Sequence, residues 1–493
     1  MFFFRKRKKQ PSPTEERWPL DQVIGWLGPS DPWRLRDAVC GTMVLGESGS
    51  GKTSGAGCFL LQNLLKSGMG GALLTVKFSD ILDIQRYAAE CGRLDDLIIF
   101  EPNGPHRCNL LEYELTNGGE HAAMRLENAV QFFDTAMEIA ERGKGASGGG
   151  DNQFFQRAAK GLVRAATLPL LLARRPVTPD SICQMVSSAP LSPEEARDTK
   201  WRGRSFCYET LCAADDLPMD ANTTQDFEHS LRYLMEHWPA MDTRTRSNIF
   251  STFMTVADTF RHGQIRHLFF SETTITPEAC RHGKILVIAL PTLTWNESGR
   301  APQALFKYCW QRAQERCSEE LKQAPVFLFC DEATQFFTRT DAAFQATARS
   351  SRVCTVYLAQ NLAVMYDSVG GEAGRHSIDG LLGNLRLKLL FAQNEASTCQ
   401  FQSELIGKTR RLLFNSNLQG ATTEQFDFFN PRRNHSTGMS ESWEYEVQPW
   451  EWSRGFRRGG PQDGFVVDAI AYQGGATWAG SGRPYLSVAF QQR

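Results

Sequence analysis

The chain has 493 residues, 41% of them hydrophobic and 22% charged, with a formal net charge of -1 and 13 cysteines. That is the make-up of a globular chain with core enough for about two to four domains. It excludes a global basic field for nucleic acid. It also excludes a membrane helix of about 18 apolar residues, and the odd, scattered cysteines without a C-x-x-C pair point to reduced thiols, not disulfides or a zinc site.

In chain order, Met1–Lys9 is aromatic and then basic, the reverse of a secretory signal. Residues 1–17 read as a disordered tail, with contact to an anionic membrane surface or nucleic acid as the alternative. Thr42–Leu45 reads as a buried strand, Gly46–Thr53 as a Gly-rich loop and Ser54–Leu61 as the helix leaving it. Gly71–Lys77 and Leu97–Phe100 give the next strands, and this first α/β part spans 18–118. From 119 to 275 the pattern turns helical, with Phe154, Phe155, Ala158, Leu162, Val163 and Ala166 at helical spacing. Gly148–Gly150 and Ser192–Arg204 read as flexible connections inside this block. Strands return over 276–493 at Lys284–Leu290, Val326–Cys330, Cys354–Leu358, Leu387–Phe391 and Tyr485–Ala489, with a helix at Ala304–Cys317. The expected fold is α/β: a mainly parallel sheet of about seven or eight strands, interrupted after the third by an all-α insertion.

The chemistry starts in Gly46-Glu47-Ser48-Gly49-Ser50-Gly51-Lys52-Thr53, which fits G-x-x-x-x-G-K-[ST]. Gly46, Gly49 and Gly51 let the backbone curl so that its N–H groups face the phosphates of a nucleotide. With Ser54, the loop opens a helix whose N-terminus favours the same charge. Lys52 is expected to reach the β- and γ-phosphates of ATP, and Thr53 to ligate Mg²⁺. Val326–Cys330 then carries Asp331 and Glu332 at its end. Asp331 suits the metal shell, and Glu332 suits water activation. Gln360, at the end of the following strand, suits a γ-phosphate sensor. Arg349 and Arg352 precede that strand, each a candidate finger toward a neighbouring subunit or a plain surface arginine. Arg174/Arg175, Arg202/Arg204 and Arg244/Arg246 are local basic clusters, read as solvated faces or a polyanion site. Trp443, Trp450, Trp452 and Phe456, beside Arg454, Arg457 and Arg458, suit base stacking or packing, with packing favoured.

Several phrases in this order carry a family resemblance. They are the phosphate loop, a strand ending in Lys77, Phe100-Glu101-Pro102 with Cys108–Leu111, Asp151–Phe155, Val177–Asp180, Asp331-Glu332, Arg352, Gln360 and Asn384–Leu389. The pattern resembles the coupling-protein ATPases of type IV secretion and conjugation (the TraG/TraD family), relatives of the FtsK/HerA translocases, over about 35–490. The resemblance implies a RecA-like P-loop fold and a homo-oligomeric ring, expected to be hexameric, with ATP and Mg²⁺ between subunits. Lys52, Glu332, Gln360 and Arg352 would be catalytic. DNA would pass through the ring, with the three arginine pairs as candidate contacts, and secretion-channel or relaxosome proteins and a membrane protein would be partners. The implied setting is cytoplasmic, or peripheral at the inner face of the membrane. Two features depart from the family. The usual N-terminal membrane helices are missing here, and Thr75 stands where an Asp usually precedes the lysine. A nucleotide-gated docking platform that moves no DNA is the alternative function, and a small-molecule kinase a third.

Overall fold

The computed structural model describes residues 17–117, 121–142, 150–419 and 434–492. The tail over 1–16 and most of Gly148–Gly150 lie outside them. Among the described residues thirteen strands form, in chain order: β1 (Val23–Gly28), β2 (Asp31–Arg34), β3 (Thr42–Leu45), β4 (Gly70–Leu74), β5 (Leu97–Phe100), β6 (Ile285–Ile288), β7 (Val326–Cys330), β8 (Val353–Ala359), β9 (Leu387–Leu390), β10 (Lys408–Gln419), β11 (Asn434–Tyr445), β12 (Val466–Gln473) and β13 (Tyr485–Gln491).

Nine of them make one sheet in the order β13-β12-β9-β3-β8-β7-β4-β6-β5. From β9 to β5 every pairing is parallel. The hairpin β12–β13 joins antiparallel at the β9 edge. The parallel strands are buried on both faces, so they read as continuous apolar runs. Their alternation survives as a division of cores. Leu286 and Ile288 face one apolar cluster, and Ile285 and Val287 face the other. β12 was not legible because Asp468 and Tyr472 interrupt its apolar residues.

The second cluster packs the helix Cys58–Lys66 and the β1–β2 hairpin on one face of the sheet. The first cluster fills the other face. There a block of helices between β5 and β6 runs from Leu110 to Phe269, including Ala122–Arg142, Gly150–Leu172 and Thr243–Arg261. Leu162, Val163 and Ala166 are buried on Gly150–Leu172, whereas Phe154 is exposed. The block and the sheet share this core. Phe100 on β5 lies 6.1 Å from the Phe269 ring and 5.6 Å from Phe306, centroid to centroid. Phe306 belongs to the helix Glu297–Arg316, buried along most of its length. That helix begins well before Ala304, because Pro302 is accommodated inside it.

β4 stops at Leu74, short of the expected Lys77. The Thr75 amide donates to Gln303 Oε1 at 2.9 Å, so the ladder ends there. Lys77 instead opens the helix Phe78–Glu90, where Asp80 accepts from the amides of Val76 and Lys77 at 2.9 and 2.7 Å. The β10–β11 hairpin pairs from Lys408↔Tyr445 to Gln419↔Asn434, outside the main sheet. Among the described residues, no helix is long and apolar enough to cross a membrane.

A close approach fixes Gly71 in β4: a Cβ there would meet the Phe327 ring at 2.5 Å. Gly71→Ala should cost about 1–3 kcal/mol by overpacking. Gly161→Ala, in open space on a helix, should stabilise by about 0.5–1 kcal/mol. Denaturation midpoints of the two variants check this; equal shifts would refute it.

Candidate nucleotide site

β3, β8 and β7 lie side by side in the sheet and, being parallel, end together. The phosphate loop leaves the end of β3, Gln360 leaves β8, and Asp331 and Glu332 leave β7. The loop is tied to its neighbours through the backbone. The Gly46 amide donates to Ala359 O at 3.2 Å, and that of Glu47 to Ala392 O at 3.1 Å. Gly49 and Gly51 take φ of +77° and +78°, where a side chain would be strained. Space matters as well, because a Cβ on Gly46 would meet Ser50 Oγ and Phe391 Cβ at 2.6 Å. The helix opens with a wide turn over Thr53–Gly57, in which the Gly57 amide reaches back to Lys52 O at 2.7 Å.

The side chains converge. Lys52 is buried, and its Nζ stands 3.5 Å from Glu332 Oε1. Glu332 Oε2 accepts from Gln360 Nε2 at 3.2 Å. Gln360 is steadied in turn by Gln393, whose Nε2 donates to Gln360 O at 2.8 Å. The Glu332 amide donates to Asp331 Oδ1 at 2.9 Å. Glu332 itself sits at φ +50°, the left-handed region that a residue with a side chain seldom adopts. Asp331 is hydrogen-bonded by the Thr53 side chain, and burial pushes its carboxyl up to about 6. Glu332 adds to that rise, while Lys52 and Thr53 oppose it. A costly carboxylate beside a hydroxyl is the donor set a hard divalent cation takes. The buried Ser50 hydroxyl has no hydrogen-bond partner. An acceptor-rich anion such as phosphate in the cradle would give it one. The residues therefore fit a nucleotide with Mg²⁺.

Lys52, Thr53, Asp331, Glu332 and Gln360 are thus brought together, with Gly46, Gly49, Ser50 and Gly51 shaping the loop. Ser48 is exposed, and Glu47 forms an ion pair with Arg458. Ser54 accepts from Gln492 Nε2 at 2.9 Å. Arg352 is separated from the site. It precedes β8, at the opposite end of that strand from Gln360, and its Nη1 donates to Trp18 O and Gln323 O at 3.0 and 3.1 Å. Arg349 is exposed. Thr75 is fully buried, its hydroxyl on Ile288 O at 2.7 Å, and takes no part in the site.

Sequence reasoning missed Gln393, Gln492 and Val467, which stands against Gly51, and it read Arg458 only in the aromatic cluster, not beside Glu47. Arg458, Val467 and Gln492 come from the far C-terminal region, and nothing local ties them to the loop. Of the arginine clusters, Arg175 pairs with Glu209, Arg202 covers the Tyr208 ring, and Arg246 donates to Leu191 O. Arg174, Arg204 and Arg244, paired with these in the sequence, are all exposed. Trp452 is buried, stacked on Phe456 at 5.0 Å, whereas Trp443 and Trp450 are each 60% exposed.

Residues 325–445 match the family model described as the TraM recognition site of TraD and TraG. Among solved structures, the bacterial conjugative coupling protein TrwBdeltaN70, in a trigonal form with sulphate, is 13% identical, with 97% of this chain and 92% of that chain covered and a TM-score of 0.58. The plasmid coupling protein TrwB in complex with ADP and Mg²⁺ is 14% identical, with 97% and 90% covered and a TM-score of 0.57. No curated protein matches. The fold is the RecA-like P-loop fold of these coupling proteins, and the resemblance carried by the motifs extends to the whole architecture.

The raised Asp331 carboxyl has a consequence for stability. The folded protein holds that proton up to about pH 6, whereas an unfolded Asp releases it near pH 4. Asp331 therefore lowers stability as pH rises from about 4 to about 6, and the loss persists above that. Asp331→Asn should raise the thermal midpoint at pH 8 and leave it nearly unchanged at pH 4, in ligand-free protein. A midpoint at pH 8 equal to or below wild type would refute the assignment.

Proposed function

We propose that the chain is an ATP-hydrolysing motor of the conjugation coupling-protein class, delivering DNA or nucleoprotein to a type IV secretion channel. The observation that carries this reading is the contact chain Lys52–Glu332–Gln360 across three adjacent strand ends. Gly46–Ser54 would cradle the nucleotide phosphates, with Thr53 and Asp331 holding Mg²⁺. When bound, Mg²⁺–ATP supplies the reactive phosphoryl group and its neutralising metal charge. Lys52 moves off Glu332 to the phosphates, where it stabilises developing negative charge. That frees Glu332 Oε1 to orient a water and take its proton. Gln360 keeps its hold on Glu332 Oε2 and so links the state of the carboxylate to β8.

The assembly proposed is a homo-oligomeric ring, hexameric, with the site completed by a neighbour. Arg349 is the better finger of the two arginines, being exposed, whereas Arg352 is engaged by backbone carbonyls. The match over 325–445 supports a relaxosome-type protein partner. A cytoplasmic seat at the inner face of the membrane, beside a membrane-protein partner, completes the reading. The docking-platform alternative is favoured by the internal engagement of Arg175, Arg202 and Arg246.

Turnover of wild type, with and without single- and double-stranded DNA, tests the proposal. DNA should raise the rate; a rate raised only by protein partners would favour the platform. Lys52→Ala should lower turnover by about a hundredfold or more. Glu332→Gln should bind ATP as wild type does while cleavage stalls. Near-normal turnover in folded Lys52→Ala would overturn the site.

A further inference from the structure

The helix Glu297–Arg316 carries Gln303, Lys307 and Gln311 at spacings of four, hence on one face. All three are buried polar side chains in an otherwise apolar layer. Lys307 pairs with Asp341, and the two side chains are 0% and 1% exposed. Desolvating two full charges is costly, and apolar replacements often serve stability as well or better. Such a pair specifies an arrangement more than it adds stability.

The arrangement is local to the catalytic carboxylate. Asp341 closes the loop that Glu332 opens. Its Oδ2 accepts from the Thr338 amide at 2.7 Å and from the Thr338 hydroxyl at 3.3 Å, as well as from Lys307. Its Oδ1 accepts from Gln311 Nε2 at 2.8 Å and from the Tyr357 hydroxyl at 3.2 Å. Tyr357 lies on β8, three residues before Gln360. The Phe337 ring, from the same loop, packs edge-on against Tyr357 at 5.4 Å. One buried carboxylate therefore ties the loop bearing Glu332 to the strand bearing Gln360, and those two residues meet directly at 3.2 Å.

The same helix is fastened on another side to the helical block. Arg312 and Arg316 contact the fully buried Glu114 at 3.2 and 2.9 Å, and both donate to Asn128 Oδ1. The block also touches the loop itself, where the Arg339 amide donates to Glu138 Oε1 at 3.0 Å.

We propose that Lys307, Asp341 and Tyr357 are positioning residues for Glu332, and that through the helix bearing Lys307 the seat of the helical block sets the alignment of Glu332 with Gln360. This rests on reading Glu332 as the water-activating carboxylate. None of the three touches the phosphate loop. Their loss should lower the rate of cleavage and leave nucleotide binding intact, since misalignment of a general base acts on the chemical step.

Two variants test this. K307M/D341N removes both charges together, so no buried ion is left unpaired. Y357F removes one hydroxyl and keeps the ring against Phe337. Turnover should fall about tenfold in the first and about threefold in the second, with nucleotide affinity within about twofold of wild type. Amide hydrogen exchange should speed up over residues 332–341 in both variants, with the rest of the sheet unchanged. Wild-type turnover per folded molecule, with wild-type exchange over 332–341, would overturn the proposal. If K307M/D341N does not fold, the Y357F result decides alone. If wild type hydrolyses nothing under any condition, the functional reading fails, and the exchange measurement still reports whether these residues hold the loop.

Discussion

Glu332 stands in left-handed backbone at φ +50°, between a lysine from one strand end and an amide from another. Such a conformation costs about 1–3 kcal/mol and persists only where the surroundings over-determine it. Here they do. The preceding carboxylate, Asp331, takes the Glu332 amide, and the short turn Ala333–Gln335 follows at once, with Ala333 buried behind it. Phe336 and Phe337 then anchor the loop in the core, and Asp341 closes it. The order β3-β8-β7 is what makes the geometry possible. Because β8 separates the loop strand from the acidic strand, Gln360 reaches Glu332 from between them.

The loop face of the site depends on the last residues of the chain. Val467 on β12 occupies the space where a Cβ on Gly51 or Gly55 would stand. Gln492 donates to Ser54, and Arg458 pairs with Glu47. Gly51 is therefore required twice, by its backbone angle and by its neighbour. Gly55 is required by its neighbour alone. The antiparallel hairpin at the sheet edge is a wall for the phosphate loop, held at a sequence distance of more than four hundred residues.

This distance explains what the sequence made legible. The phosphate loop announces itself because its mechanics are local: three glycines, a lysine and a hydroxyl within eight residues. Asp331-Glu332 and Gln360 follow because buried parallel strands are apolar runs, and what ends such a run is conspicuous. Residues that act across the sheet carry no such mark. Gln393, Val467 and Gln492 sit in ordinary local contexts, and Lys307 looks like one more helical lysine until Asp341 is placed beside it. Arg352 stands apart from this chain's own site for the same reason. Its nearness to Gln360 in sequence is the length of β8, so the strand that brings Gln360 to the site carries Arg352 to the opposite end. At Thr75, where this chain departs from the family pattern, the hydroxyl bonds the Ile288 carbonyl inside the sheet and is a tie between strands.

The helical block is an insertion by sequence but not by packing. A separable domain would keep its own core and meet its host across a polar, hydrated surface. Here Phe269 of the block packs with Phe100 of the sheet and Phe306 of the connecting helix. The charges at the junction are buried as well: Glu114 receives Arg312 and Arg316 with its own side chain fully enclosed, and burial pushes its carboxyl up to about 7. A close-packed interior of this kind does not absorb displacement softly. A shift of the block must be met by Phe306, by Arg312 and by Arg339, and the last two lead within one helix or one loop to Asp341. What joins the block to the loop bearing Glu332 is a buried helix with a charge cluster on each side.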